Sequence, residues 1–303
     1  MLFLALAVAC SLAIAVVFKV AERHDLDRTA LLTVNYLAAA LLAVALLEPT
    51  GSVTAGRVGL GVAQGVLFIA GFWLFSLAIR EAGMGLAAGV MRLSVAVPFL
   101  ASWGIWNEVP TVWQIVGLAL AGAAFFLVAR PSAQAPVELP VPDLEGAPET
   151  VQEAEPAGSG RTVGILALLF ASGGLVDLNM KVFNESFGGP GGVSLRTFLL
   201  FVFGVAFAVG ALAVVANGLR TGRWPSRQAW LWGVGLGVVN YGSAEFLLRA
   251  LEVVPGPVAF PVNSVAIVLG AALIGRVVWS ERLSTANLAG LGLAAVALVL
   301  LAG

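Results

Sequence analysis

The sequence contains few of the residues that soluble, disulfide-bonded or metal-binding proteins depend on. Its 303 residues include one cysteine and one histidine, and only 11% of them are charged. A single cysteine, Cys10, excludes an internal disulfide and a cysteine metal cage, and a single histidine, His24, excludes a multi-histidine site. We therefore expect neither a metal nor another cofactor. Soluble domains carry roughly 25% charged residues, so this chain has too little polar surface for a water-soluble fold.

The abundant residues are apolar, and they occur in long runs. Hydrophobic residues make up 60% of the chain, and the net charge of −1 offers no basis for binding nucleic acid. A membrane-spanning helix needs about 20 consecutive apolar residues, and the sequence offers such runs repeatedly. The pattern predicts an all-α membrane protein with ten transmembrane helices, at residues 2–20, 28–47, 57–80, 84–105, 112–129, 162–184, 195–217, 228–250, 255–279 and 284–302.

One segment, residues 131–160, lacks this apolar character. Prolines and carboxylates recur along it without any apolar periodicity. Such a composition buries too little surface to offset the entropy lost on ordering the chain. We predict a disordered, acidic, proline-rich linker between a first five-helix half, residues 1–130, and a second, residues 161–303.

The two halves repeat one loop and the start of the helix that follows it. WNEVPTVWQIVGLAL begins at Trp106, and WSERLSTANLAGLGL begins 173 positions later (279 − 106) at Trp279. Two weaker echoes occur in the same order in both halves, namely Lys19-Val20 with Lys181-Val182 and Arg28-Thr29 with Arg196-Thr197. An odd number of spans makes the second copy enter the membrane from the opposite face. We therefore predict two inverted repeats, with a binding site at their interface near the membrane midplane.

The repeated pattern resembles the EamA-type repeat of the drug/metabolite transporter superfamily. The residues that carry the resemblance are Trp106, Glu108, Thr111, Gln114 and Gly117, which return as Trp279, Glu281, Ser284, Asn287 and Gly290. The family often has a glycine before the repeated glutamate, where this chain has Asn107 and Ser280. The resemblance implies a ten-helix fold in which spans 1–4 and 6–9 surround a central cavity and spans 5 and 10 are peripheral.

Two prolines are candidates for bending helices, and the two repeated glutamates are candidates for capping them. Pro98 and Pro261 lie in spans four and nine, as is common in the family, and each removes a backbone hydrogen bond. We predict that they bend these helices during transport, with static helix shaping as the alternative. Glu108 and Glu281 are expected to cap the first turns of spans five and ten, where the helix dipole favours an anion.

Ionisable residues are scarce within the predicted spans. Each costs roughly 2.5 kcal/mol or more to insert into a bilayer, so these residues usually face a cavity or a partner. Arg92 lies eight residues into span four, about 12 Å deep at 1.5 Å per residue. It is expected to bind either an anionic group of the substrate or a carboxylate of another helix. Lys19, at the end of span one, is either an interfacial anchor or part of a positive funnel for an anionic cargo.

Two pairs of opposite charges have the i,i+4 spacing that places both side chains on one helix face. Asp177 precedes Lys181 in span six, and Glu245 precedes Arg249 in span eight. One interpretation is that each pair is a neutral intrahelical ion pair. The other is that one carboxylate faces the cavity and takes up and releases a proton. Asp177 is the first choice for this role because it lies further from its helix end than Glu245.

The remaining candidates for substrate binding are neutral side chains within the spans. Interhelical hydrogen bonding and aromatic packing are the alternative roles for all of them. They are Asn35, Tyr36, Gln64, Trp73, Asn179, Asn240, Tyr241 and Asn263.

These observations together predict a secondary transporter rather than an enzyme. It would move small organic metabolites, such as amino acids, nucleosides, sugars or drug-like molecules, by alternating access in a bacterial-type inner membrane, and proton coupling is a further hypothesis. Its expected partners are this small-molecule substrate and membrane lipid. Lysine and arginine concentrate after the odd-numbered spans, which places both termini outside and the linker in the cytoplasm.

Three other functions remain open at this stage. They are a flippase of a lipid-linked carrier, an intramembrane enzyme and a non-transporting scaffold. The sequence contains no P-loop and no nucleophile elbow that would favour the enzyme.

Overall fold

The chain is all-helical in the computed structural model, which describes residues 1–22, 27–47, 54–130, 160–187, 193–222, 224–280 and 283–303. The predicted linker lies outside these residues, apart from Gly160. The described residues form eleven α-helices and no strand, which confirms the all-α class. The helices are α1 (Leu2–Glu22), α2 (Arg28–Ala45), α3 (Ala55–Ala82), α4 (Met84–Leu93), α5 (Ala96–Trp106), α6 (Val112–Val128), α7 (Gly160–Phe187), α8 (Val193–Thr221), α9 (Arg227–Leu251), α10 (Gly256–Val278) and α11 (Thr285–Ala302).

Seven segments of the described chain are long and apolar enough to cross a membrane. They are Leu2–Val20, Ala55–Ala82, Gly85–Trp106, Gly160–Phe187, Leu195–Thr221, Gly256–Val278 and Thr285–Ala302. α2 and α6 are apolar but shorter, and α9, with several polar side chains, is not among the seven. The chain is therefore a multi-pass membrane protein, and the arrangement of ten spans stays a prediction.

The predicted fourth span consists of two helices rather than one. α4 ends at Leu93 and α5 begins at Ala96. Pro98 explains the interruption, because it has no N–H to bond the carbonyl of Ser94 and its ring crowds that carbonyl. The backbone N–H of Val97 bonds the Ser94 carbonyl instead, at 2.9 Å. Pro261, in contrast, lies inside α10, which continues from Gly256 to Val278.

The packing partners of the helices follow a regular scheme. α2 packs against α8, and α6 packs against α11. α1 contacts α9 as α3 contacts α7, and α2 contacts α9 as α3 contacts α8. If α1, α2, α3 and α6 are exchanged with α7, α8, α9 and α11, the same set of pairs results. This symmetry of packing partners is what the predicted pair of repeats would produce.

Two pairs of corresponding helices run antiparallel. Gly117, near the start of α6, lies against Leu301, near the end of α11. Gly290, near the start of α11, lies against Leu127, near the end of α6. At the other pair, Arg196 in the first turns of α8 donates a hydrogen bond of 2.9 Å to the carbonyl of Leu46, which follows α2. The predicted inversion of the two halves would require these antiparallel directions.

Candidate functional site

A cavity of about 720 Å³ opens among the ends of α1, α6, α10 and α11 and extends to α4. Its walls are mostly aliphatic, and Trp279 and Asn287 line it as well. Three cationic residues line it: Lys19 in the last turn of α1, Arg92 in the last turn of α4 and Arg130 after α6. None of the described lining residues is acidic. The cavity therefore has mostly apolar walls and carries positive charge.

At the end of the molecule opposite this cavity, the buried Lys181 side chain joins two partly exposed carboxylates in a network that we call the Lys181 clasp. The Nζ atom of Lys181 on α7 lies 2.6 Å from Glu108 Oε1 and 2.6 Å from Glu185 Oε1. The other oxygen of Glu108 accepts a hydrogen bond of 2.8 Å from the backbone N–H of Gly256. The clasp thus connects the loop before α6 in the first half with α7 and the first turn of α10 in the second.

The clasp corrects two sequence-based expectations. Lys181 pairs with Glu108 and Glu185, so the proposed intrahelical pair with Asp177 is wrong. Glu108 caps the first turn of α10 rather than that of α6. Glu185, like Asp177, is four residues from Lys181, so spacing did not distinguish the two, whereas folding brings the loop before α6 beside α7 and α10. Glu281 lies outside the described residues.

The repeated lysines and tryptophans meet across the two halves. Lys19 Nζ of the first half lies 4.8 Å from the ring centroid of Trp279 in the second. Lys181 Nζ of the second half lies 5.6 Å from the ring centroid of Trp106 in the first. Both distances allow cation–π attraction. The sequence showed each echo separately, and only the fold brings each lysine to the tryptophan of the other half.

The loop motif has the same backbone geometry in both copies. Asn107 and Ser280, which stand where the family often has glycine, are left-handed, with φ of 56° and 54°. Glycine adopts this conformation without the steric cost that a side chain imposes, which explains the family's preference. Asn107 ends α5, and its backbone N–H bonds the Ser102 carbonyl.

Both copies then begin a helix with a reciprocal capping box. Thr111 Oγ1 accepts the backbone N–H of Gln114 at 3.2 Å, and Gln114 Oε1 accepts that of Thr111 at 3.0 Å. Ser284 and Asn287 repeat this arrangement at 3.1 and 2.9 Å. Hydroxyl and amide residues at this spacing satisfy backbone donors that the first turn leaves free. These motif residues are therefore explained by helix initiation.

The two candidate carboxylates for proton coupling have different surroundings. Glu245 Oε1 accepts hydrogen bonds from Nη2 and Nε of Arg249 at 2.6 and 3.0 Å, which confirms the predicted intrahelical pair. Asp177 interacts electrostatically with Arg92 across α4 and α7. Within the described chain, no ion pair or hydrogen bond engages the Asp177 carboxylate. The Asp177 carboxylate is therefore held by fewer direct contacts than the Glu245 carboxylate.

The neutral candidates form two interhelical amide pairs and an aromatic group. Asn179 Nδ2 donates to Gln64 Oε1 at 2.7 Å, and Asn240 Nδ2 donates to Asn35 Oδ1 at 3.2 Å. Both tyrosine rings pack against Phe203, which is fully buried. The amides Asn35, Gln64, Asn179 and Asn240 thus form interhelical hydrogen bonds, and Tyr36 and Tyr241 pack against an aromatic ring. These are the alternative roles that the sequence analysis gave for them.

The predicted substrate-binding residues do not gather in one place. Among them, only Arg92 lines the cavity described above. Trp73 is 60% exposed, and Asn263 Oδ1 is buried with no hydrogen-bond partner among the described residues. Lys19, predicted as an anchor or funnel residue, also lines the cavity, as does Arg130, which is not among the predicted site residues. A basic residue at the very end of an apolar span was the signal for it.

The fold and the apolar helices define a multi-pass membrane protein, and comparison with known proteins narrows this class. Residues 1–130 match the EamA-like transporter family. The first half of the chain is therefore an EamA-like unit, consistent with membership of the drug/metabolite transporter superfamily. A match to a transporter family is consistent with a membrane setting and a small-molecule substrate.

Two similarities extend over nearly the whole chain. An uncharacterized protein of Haemophilus influenzae is 24% identical over 296 residues, which cover 94% of this chain and 92% of that protein. A solved crystal structure that is 13% identical superposes with a TM-score of 0.69 and covers 98% of this chain and 97% of its own. At this identity the second similarity concerns the fold alone.

Proposed function

We propose that the protein is a secondary transporter that moves small organic metabolites across a bacterial-type inner membrane by alternating access. Its two five-helix halves would be inverted copies that rock against each other. The antiparallel pairs α6–α11 and α2–α8, together with packing partners that are unchanged when the halves are exchanged, support this arrangement. Inverted repeats with a site between them are a common basis of alternating access.

One observation carries the proposal: the cavity and the Lys181 clasp lie at opposite ends of the bundle. Arg130 at the cavity follows α6, whereas Glu108 of the clasp precedes it. α6 has 17 residues, so these two ends are about 25 Å apart at 1.5 Å per residue. A bundle open at one end and joined across its halves at the other is expected of one state of a carrier.

The clasp supplies the energy that holds this state. Lys181 is fully buried and its carboxylate partners are partly exposed, so removing one partner costs at most the roughly 3–5 kcal/mol of a fully buried ion pair. The reverse state would have to separate α7 from the loop that carries Glu108. The interruption of the fourth span before Pro98 provides a bending point between α4 at the cavity and α5 near the clasp.

Proton coupling is a further part of the proposal, and we assign it to Asp177. Glu245 is held by two hydrogen bonds from Arg249, whereas Asp177 has no such partner within the described chain. Its electrostatic interaction with Arg92, which lines the cavity, would connect its protonation to the occupancy of the cavity.

Exchange across proteoliposomes tests the transport function. Vesicles that contain the purified protein and are loaded with amino acids, nucleosides, sugars or amphipathic metabolites should exchange at least one class with labelled solute. Lys181→Gln should lower that exchange at least about tenfold, because the clasped state would lose more than about 1.4 kcal/mol of stabilisation, and this energy corresponds to a factor of ten in its population. Lys181→Arg keeps the positive charge and should retain part of the exchange.

Arg161→Gln is the matched control. It removes an ion pair of 2.9 Å with Glu81 in which the arginine side chain is 73% exposed. Exposed pairs contribute about 0–1 kcal/mol, so exchange should change less than about twofold. The absence of exchange for every class, from folded protein, would contradict the proposal. Chemical conversion of a solute would favour an enzyme, and movement of lipid-linked sugars between leaflets would favour a flippase.

A further inference from the structure

We propose that the cavity binds an organic anion, a carboxylate or phosphate carried on an apolar body. This inference rests on the proposed transport function, because it names the class of the cargo. It concerns the cavity at the ends of α1, α6, α10 and α11, with Arg92 of α4 as its innermost charged residue.

The charge of the cavity provides the first argument. Lys19, Arg92 and Arg130 come from three separate parts of the chain, and none of the described lining residues is acidic. Asp177, which interacts with Arg92, does not line the cavity. A cargo that displaces water from these cations binds more favourably when it carries an anionic group that replaces the lost hydration.

The three cations also lie at different depths. Lys19 lies in the last turn of α1 and Arg130 lies two residues beyond the end of α6, so both are close to the opening. Arg92 lies eight residues after the start of α4, about 12 Å deeper at 1.5 Å per residue. Positive groups at an opening attract anions, and a guanidinium further in binds a carboxylate or phosphate with two parallel hydrogen bonds.

The remaining lining indicates the body that accompanies the anionic group. Leu12, Val16, Ile267, Val268 and Leu291 contribute aliphatic surface, and Trp279 contributes a ring against which Lys19 lies. A volume of about 720 Å³ is within the range of small-molecule sites, which are mostly apolar with a few placed polar groups. A small inorganic ion would leave most of this surface unused.

A matched pair of probes tests the inference. 3-Phenylpropionate and 3-phenylpropionamide have nearly the same shape and differ in charge. Binding to protein in an uncharged detergent can be followed by the rise in melting temperature. We expect the dissociation constant of the acid to be at least about tenfold below that of the amide, because hydrogen bonds to charged groups are the stronger kind. Equal affinities would overturn the inference.

Variants locate the site. Arg92→Gln should weaken binding of the acid at least about tenfold, and Arg92→Lys should retain most of it. Arg130 is exposed, so Arg130→Gln should preserve folding, and it should weaken binding of the acid about two- to fivefold. Arg276→Gln is the control, because this exposed arginine is on α10 but does not line the cavity. Wild-type affinity in both folded Arg92→Gln and Arg130→Gln would overturn the inference.

An anionic lipid headgroup has the same chemistry as a soluble anion, and nanodiscs distinguish the two sources. Loss of 3-phenylpropionate binding when phosphatidylglycerol replaces part of the phosphatidylcholine assigns the site to a headgroup. Unchanged binding assigns it to a soluble anion, and either result supports an anion site.

The two proposals fail separately. Charge-dependent binding of the acid without exchange of any solute across proteoliposomes would refute transport and leave the anion site standing. Exchange of the amide as fast as the acid, unaffected by Arg92→Gln, would refute the anion site and leave transport standing.

Discussion

Lys181 is a buried charge in an apolar protein, and it is stabilised by ion pairs that connect distant parts of the chain. Its side chain is buried, and two carboxylates at 2.6 Å offset its charge. Its Nζ atom also lies over the ring of Trp106. The Glu108 side chain of the first half also accepts a hydrogen bond from the backbone of Gly256, so this one side chain bridges the two halves. Under the proposed alternating access, this bridge would stabilise one conformation, and its loss would favour the other.

Asp177 gives a prediction about coupling. Asp177→Asn should retain exchange of labelled cargo between equal concentrations but lose accumulation driven by a proton gradient, because an amide cannot take up and release a proton. The measurement compares both activities in the same proteoliposomes. Glu245→Gln should reduce stability, because Arg249 loses its carboxylate partner, yet keep gradient-driven accumulation. Gradient-driven accumulation by Asp177→Asn at the wild-type level would refute the assignment.

Ser280 gives a prediction about backbone conformation. At φ of 54° a serine is strained, so Ser280→Gly should raise the free energy of unfolding by about 1 kcal/mol. Asn107→Gly should raise it less, because asparagine tolerates this region better than serine. Ser280→Ala keeps the strain and serves as the control. Thermal or denaturant unfolding in detergent measures all three, and a loss of stability in Ser280→Gly would contradict the explanation.

At the scale of elements, the repeated motif builds the contact between α6 and α11. The capping boxes begin both helices, and Gly117 and Gly290 let them approach closely. Asn287 adds a contact of its own, since its Nδ2 lies 2.9 Å from the carbonyl of Val128 and 3.0 Å from that of Arg130. The start of α11 thereby satisfies carbonyls at the end of α6, which are otherwise without helical partners.

Gly290 tests this contact. A Cβ atom at Gly290 would lie 2.8 Å from the backbone nitrogen of Val128, whereas one at Gly292 on the same helix meets nothing within 4 Å. Gly290→Val should therefore lower the free energy of unfolding by about 1–3 kcal/mol. Gly292→Val should change it by about 0.5 kcal/mol or less. Equal effects of the two substitutions on unfolding in detergent would show that helix propensity, and not close packing, determines the result.

At the scale of the whole molecule, corresponding positions of the two halves should face opposite sides of the membrane. The cavity, Lys19 and Trp279 are at one end, whereas the Lys181 clasp and Trp106 are at the other. Each lysine–tryptophan contact therefore joins the two halves at a different end. An inverted pair of halves provides equivalent contacts at both ends without a second kind of interface.

Cysteine labelling tests the inversion. Val112 and Thr285 are corresponding positions (285 − 112 = 173), and both are exposed in the first turn of their helices. In a Cys10→Ser background, Val112→Cys and Thr285→Cys should react with an impermeant maleimide from opposite sides of the membrane. With the linker in the cytoplasm, intact cells should label Val112→Cys alone. Labelling of both from one side would contradict inverted repeats.

The sequence by itself was sufficient for the class of protein and for the local chemistry of the motif. Apolar runs predict membrane helices because lipid leaves no other partner for backbone groups. Thr111 with Gln114, and Ser284 with Asn287, are three residues apart, so their capping boxes depend only on local spacing. The Glu245–Arg249 pair was predictable for the same reason.

Only the tertiary structure decided which distant groups meet. Lys181 could pair with Asp177 or with Glu185, each four residues away, but the fold pairs it with Glu185 and Glu108 and leaves Asp177 in electrostatic interaction with Arg92. The cavity likewise combines Lys19, Arg92 and Arg130 from three parts of the chain. Spacing along one helix determines which residues share a face, whereas the partner across that face depends on how helices pack, and a single sequence does not encode that packing as a readable pattern.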